Sequence, residues 1–196
     1  MRIVLPPGLE DFAREFSRYK TPATRTQGWS ELPHETRGEG DLLDTIGSLM
    51  LWRYLVSENI PTTYLLTGRQ GDEADIRVQA GARSLNINVK TSKFQPSDDD
   101  PCRNNHIAVK EIEFSKPLPD LFVQVFVHLP QGESSSGHVH ICNWISCGSD
   151  AFRSQSMATI PNTGGSKGYW IGRKSLRPIE DLLGFIRDFS RRGPQD

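Results

Sequence analysis

The stretch Ala74-Asp75-Ile76-Arg77-Val78-Gln79, followed by Leu85-Asn86-Ile87-Asn88-Val89-Lys90-Thr91-Ser92, decides how this chain folds. Both pieces alternate apolar and polar residues with period two, the pattern of a strand with one buried face. In the first, Ile76 and Val78 take one face while Asp75, Arg77 and Gln79 take the other. In the second, Leu85, Ile87 and Val89 point inward and Asn86, Asn88 and Lys90 outward. If the two strands pair, a carboxylate, an amide and an ammonium share one polar face of an otherwise apolar sheet. A divalent cation and a phosphodiester need that combination, hard oxygens for the ion and a fixed positive charge for the phosphate.

Upstream, Leu42, Leu43, Ile46, Leu49, Met50, Leu51, Leu55 and Val56 recur at helical spacing over a wide stripe, which predicts a largely buried helix. Asp41 reads as its N-cap, and Asn59 and Pro61 as its end. Thr62 to Leu66 is a strand closed by Gly68 and Gly71. Downstream, a polar loop from Gln95 to Asn105 leads to a segment around Ile107 to Phe114 that fits helix or strand. Leu121 to Leu129 and Val139 to Ser146 are strands by their β-branched and aromatic content, and Ile179 to Phe189 is a closing helix. Residues 1–40 carry an amphipathic piece around Leu9 to Tyr19 and a polar loop with Pro22, Gly28 and Pro33. They form an extension expected to pack on a core domain of residues 41–196.

At 196 residues the chain is one domain with appendages. It has no apolar run long enough to span a membrane, and Met1 to Pro6 is too short for the apolar region of a signal peptide. The expected location is the cytoplasm, with no membrane partner. Three cysteines, an odd number at wide spacing, do not make a disulfide framework and are expected to be reduced. The net charge of −1 lacks the basic excess of dedicated nucleic-acid binders. Between Ala151 and Arg192, however, eight Lys and Arg face three acids, while acids collect at Asp72-Glu73-Ala74-Asp75 and at Asp98-Asp99-Asp100. A basic track beside an acidic ion site suits work on a phosphate backbone. A solvated charged face gives the same counts.

Asp75 and the Asn88-Val89-Lys90 run resemble the signature of the PD-(D/E)xK nuclease superfamily, and the helix followed by three strands resembles its core. The resemblance implies an α/β fold, a restriction-endonuclease-like core with a central mixed β-sheet flanked by helices. It implies magnesium as cofactor, replaceable by manganese, with Asp75 and the Val89 carbonyl as ligands and Lys90 on the attacked phosphate. Two residues depart from the pattern. Ala74 replaces the proline, and Asn88 stands where an acid is expected, offering an oxygen without a charge. Three acids are candidates for the missing charge: Asp44 in the first turn of the long helix, ranked slightly first, Glu73 two residues before Asp75, and Glu111 after the second motif strand. Helix-dipole stabilisation accounts equally for Asp44. Lys93, Lys167, Arg173 and Lys174 are candidate nucleic-acid contacts.

The activity so implied is a magnesium-dependent endonuclease acting on phosphodiester bonds, DNA ahead of RNA, of the restriction, phage or mobile-element type, alone or as a homodimer. The alternative is a catalytically inactive nucleic-acid-binding or structural subunit that kept the fold, for which Asn88 is the evidence. A weaker constellation is His138-Val139-His140-Ile141-Cys142 with Cys102 and His106, whose spacing is not that of a familiar zinc motif. The Asn162 to Gly168 loop, followed by Tyr169 and Trp170, reads either as a backbone-contacting loop or as a turn before a strand with core aromatics.

Overall fold

The computed structural model describes residues 1–19, 34–65, 74–81, 83–93, 101–103, 105–111, 113, 117–129, 137–160 and 167–191. The chain runs β1 (Arg2–Val4), α1 (Leu9–Tyr19), α2 (His34–Ser57), β2 (Thr62–Tyr64), β3 (Ile76–Ala80), β4 (Arg83–Lys93) and β5 (His106–Lys110). It continues through β6 (Leu121–His128), β7 (His138–Ser146), α3 (Asp150–Arg153), β8 (Ala158–Thr159), β9 (Lys167–Gly172), β10 (Arg177–Pro178) and α4 (Glu180–Arg191). The class is mixed α/β. A seven-stranded sheet has the order β1-β7-β6-β4-β3-β2, with β10 also on β7, and a small sheet has the order β5-β9-β8. Within the large sheet β4 and β6 are parallel and the other pairs antiparallel.

Strand β4 is central, and its alternation is the one expected. Leu85, Ile87 and Val89 are buried with Ile76 and Val78 of β3, Leu121, Val123 and Val125 of β6, and Leu42, Ile46 and Met50 of α2. Helix α2 crosses β4 at Gly47, where a Cβ would lie 2.5 Å from Thr91 Oγ1. The opposite flank of α2 meets α1 through an aromatic chain in which Phe12 stacks on Phe16, Phe16 meets Tyr64, and Tyr64 meets Trp52. A helix enclosed in this way is apolar over a wide arc, which is why its stripe is broad. On the other face of the large sheet, Phe122 and Ile145 pack against Ile107 and Val109 of β5, Ile171 of β9 and Phe152 of α3. With both faces covered, β6 is buried residue after residue from Leu121 to Val125.

Pairing of β6 with β7 shifts register between Val123 and Val125, so that Val125 faces Ile141 but Val123 faces Trp144. One extra β7 residue is thereby accommodated as a bulge. Plain alternation from Val139 would send Trp144 to the face of His138 and His140. The bulge returns it to the helical face, where it meets Phe185 of α4 at 4.8 Å and its indole N–H donates to Pro178 O.

Three boundaries differ from expectation. Helix α2 starts at His34, so Asp41 is an interior residue whose carbonyl accepts from Thr45 Oγ1, not an N-cap. The apolar stripe marks where burial begins, and the helix itself starts about two turns earlier. Arg2–Val4, expected in a packed extension, pair with β7 as an edge of the large sheet, and the Met1 ammonium donates to Ile141 O. The segment left open between helix and strand is strand β5, and it belongs to a second sheet. Among the described residues no helix is long and apolar enough to cross a membrane.

Gly47→Ala tests the α2–β4 crossing by its sign. At an ordinary helix-interior site the change stabilises by about 1 kcal/mol; here it is expected to destabilise by about 1–3 kcal/mol, because β-branched Thr91 cannot easily turn aside. Thr91→Ala in the same chain should recover most of the loss in urea denaturation.

Candidate functional site

Asp75 is the residue immediately before β3. Its backbone N–H donates to Ile87 O at 2.8 Å, its carbonyl accepts from Leu65 N, and its Oδ2 accepts from Val89 N at 2.7 Å. The paired register ends at Ile76 and Ile87, and Asp75, one residue beyond it, returns its N–H to Ile87 and its carboxylate to Val89, on either side of Asn88 along β4. Val89, like Ile87, turns its backbone polar groups toward the β3 edge, and there the Asp75 carboxylate takes the place of a further strand partner. The Oδ1 atom of Asn88 is buried and accepts no hydrogen bond, while the residue is held by other interactions. Asn86, one step along the same face, accepts from Arg77 Nε at 3.1 Å, and its N–H donates to Asp120 Oδ2.

Lys90 follows Asn88 on this face. Its side chain is 21% exposed and forms an ion pair with Glu113, itself 19% exposed, while Nζ lies 5.1 Å from the centre of the Phe122 ring. Glu113 is fixed from the other side, since its Oε1 accepts from Lys110 N at 2.9 Å. Half-buried beside Glu113, Lys90 is not a fully solvated strand lysine. Gln124, paired with Lys90 across β6, is buried and donates to Ser92 Oγ. Cys147 lies beside the same group: burial foremost, then the charge of Asp120, push its thiol up to about 12 against the opposing pull of Lys90. It is a thiol at neutral pH and not a nucleophile.

The other expected positions fall as follows. Glu111 is exposed, and Glu113, two residues later, is the acid that turns back to Lys90. Sequence spacing alone does not separate them. Asp44 lies one helical turn before Ser48, whose hydroxyl is 2.8 Å from Tyr64 OH, and Tyr64 pairs with Ile76. That stripe of α2 leads toward the β2–β3 edge where Asp75 sits. Glu73 lies outside the described residues. Lys93, Lys167, Arg173 and Lys174 are all exposed, at the end of β4, the start of β9 and the 3-10 turn after β9.

Cys102 and Cys142 are joined as a disulfide, which corrects the expectation of three reduced thiols; Cys147 is the free one. The β7 bulge and the turn at residues 101–103 bring the two Cα atoms to 5.0 Å, a closeness that a separation of 40 residues conceals. This also removes both sulfurs from the zinc constellation. His138 instead lies between His128 and His140 at 4.9 and 5.3 Å. Among the described residues no three His, Cys, Asp or Glu side chains converge as a metal cluster.

Comparison of the chain with protein-family models, curated proteins and solved structures finds no match.

Two outcomes follow. Glu113→Gln or Lys90→Met should each cost about 2–3 kcal/mol, since each strands a mostly buried partner; joined as Lys90→Met with Glu113→Leu they should recover most of it in a denaturant double-mutant cycle. The raised thiol of Cys147 favours the protonated form in the folded state. Its contribution is therefore complete below the ordinary cysteine range and is lost as pH rises from there toward 12. Alkylation of the folded protein at pH 8 should be far slower than in denaturant.

Proposed function

We propose that this chain is a divalent-metal-dependent nuclease with a restriction-endonuclease-like core, acting on phosphodiester bonds at the face of Asp75, Asn88 and Lys90. The observation that carries the reading is that the Asp75 carboxylate reaches the backbone of Val89, between Asn88 and Lys90 on β4, while Lys90 is paired with an acid. The donors fit a hard cation: a carboxylate from Asp75, an amide oxygen from Asn88 and the Val89 carbonyl on the β3 edge. Magnesium bound there would lower the pKa of a water and offset charge on the phosphate. Lys90 supplies a fixed ammonium for the developing charge of the attacked phosphate. Glu113 holds that ammonium in place and takes over from Glu111 as the acid that offsets Asn88. DNA is the preferred substrate.

A second reading is an inactive nucleic-acid-binding subunit. The hydrogen bond from Val89 to the Asp75 carboxylate and the Lys90–Glu113 pair favour it, since both also serve as structural links.

Incubation with plasmid and single-stranded substrates in Mg²⁺, Mn²⁺ or chelator decides between them. Cleavage is expected with either ion and not with chelator. Asp75→Ala and Lys90→Ala should each reduce it by about a hundredfold or more, and Asn88→Asp should tighten Mg²⁺ binding in calorimetry. Folded wild-type protein that neither binds an ion nor cuts in any condition would overturn the reading.

A further inference from the structure

At the far end of the small sheet a groove of about 600 Å³ is lined by Arg103, Asn105, His106, Trp170, Arg173 and Lys174. Its wall is an aromatic stack, with the rings of His106 and Trp170 3.4 Å apart between centres and 26° from parallel. Burial pushes the His106 imidazole down from its ordinary value, so the stack is neutral at pH 7 while three cations surround it. The floor holds Asn105, only 3% exposed, whose Oδ1 accepts from Asn143 at 2.8 Å and whose Nδ2 is buried without any acceptor. A buried amide donor left unmatched costs stability, and here it belongs to the lining of the groove.

The groove is built to keep its shape. The Cys102–Cys142 disulfide ties the turn carrying Arg103 to β7, the Asn105–Asn143 bond does the same three residues on, and Arg173 Nη1 donates to Arg103 O at 3.0 Å. It is also in line with the Lys90 site. His106 and Lys110 are the two ends of β5, and Lys110 N–H holds Glu113. Four strand steps are about 13 Å, on the order of four stacked nucleotides. Lys167 and Arg173, at the start of β9 and just beyond its end, put a positive charge near each end of this span.

We propose that the groove binds one base and its flanking phosphates of a single-stranded nucleic acid, and so positions the strand a few nucleotides from the Lys90 site. The inference takes its substrate class from the nuclease reading. A base lies against the aromatic stack, as every base offers a π-face, and Arg103, Arg173 and Lys174 hold phosphates.

The test uses the full chain with chelator present, so that binding is measured without cleavage, by fluorescence anisotropy of a labelled ten-nucleotide oligothymidine. An abasic decamer of equal charge, a duplex and a phosphorylated peptide are the controls. Oligothymidine should bind about tenfold tighter than the abasic strand, and Trp170→Ala should abolish that difference, with Trp170→Phe retaining most of it. Arg173→Ala and Lys174→Ala should weaken both strands alike and flatten the salt dependence. Equal binding of oligothymidine and abasic strand, an unchanged affinity in Trp170→Ala, or preference for duplex or phosphopeptide would overturn the proposal. Cleavage by wild type with unaltered binding in the groove variants would sink the groove and leave the nuclease reading standing. Groove-dependent binding by a protein that cuts nothing would do the reverse.

Discussion

The constraint on which the structure depends is the placement of β4, buried on one face and half-buried on the other. On one face Leu85, Ile87 and Val89 meet the α2 helix, and Gly47 lets the helix come down onto Thr91. On the other, Asn88 and Lys90 are half-buried, and Lys90 reaches Glu113, whose Oε1 accepts from Lys110 N at the end of β5. A half-buried ammonium is only partly hydrated and gains from a carboxylate within reach. Glu113 meets that need, and its position follows from where β5 ends. The placement of the polar patch and the presence of the second sheet are one structural fact.

Much of this was legible in the residues. Period-two alternation identified β3 and β4 and assigned their faces correctly, and the apolar stripe located the buried part of α2 from Leu42 to Leu55, although Val56, read as part of it, is exposed. The rest was hidden because local pattern carries no information about partners distant in sequence. Ile107 and Val109 alternate as any strand does, yet nothing local says that their partners are on β9. The β7 bulge inverts the faces of half a strand by adding one residue, and only pairing with β6 reveals it. Glu111 is one of three candidates, with Asp44 and Glu73, for the charge that Asn88 lacks, and nothing in the local pattern marks Glu113, two residues on, as the acid that meets Lys90.

Cysteine counting failed for a related reason. An odd number of thiols at wide spacing argues against a framework of several bridges, but one bridge needs only two Cα atoms within range. The bulge aims Cys142 at the turn carrying Cys102, and the neighbouring Asn143 reaches Asn105. A bridge of this kind persists in oxidising surroundings and is rare in reduced ones, so the bond bears directly on the expected cytoplasmic location.

Charge gives the last step of the argument about Asn88. In the superfamily pattern that the motif resembles, two acids and one lysine leave one net negative charge to meet a divalent ion. Here Asp75 and Glu113 supply the two acids, Lys90 the cation, and Asn88 only an oxygen, so the net charge is the same although its distribution differs. Coulomb attraction for the ion depends on distance as well as on total charge, and Glu113 spends its charge on Lys90. On the nuclease reading this favours a weak ion site beside a well-held lysine, in which phosphate oxygens from the substrate complete the ligand set and bring the missing charge with them. Metal affinity in the absence of nucleic acid is then a poor measure of competence, and affinity in its presence is the informative one.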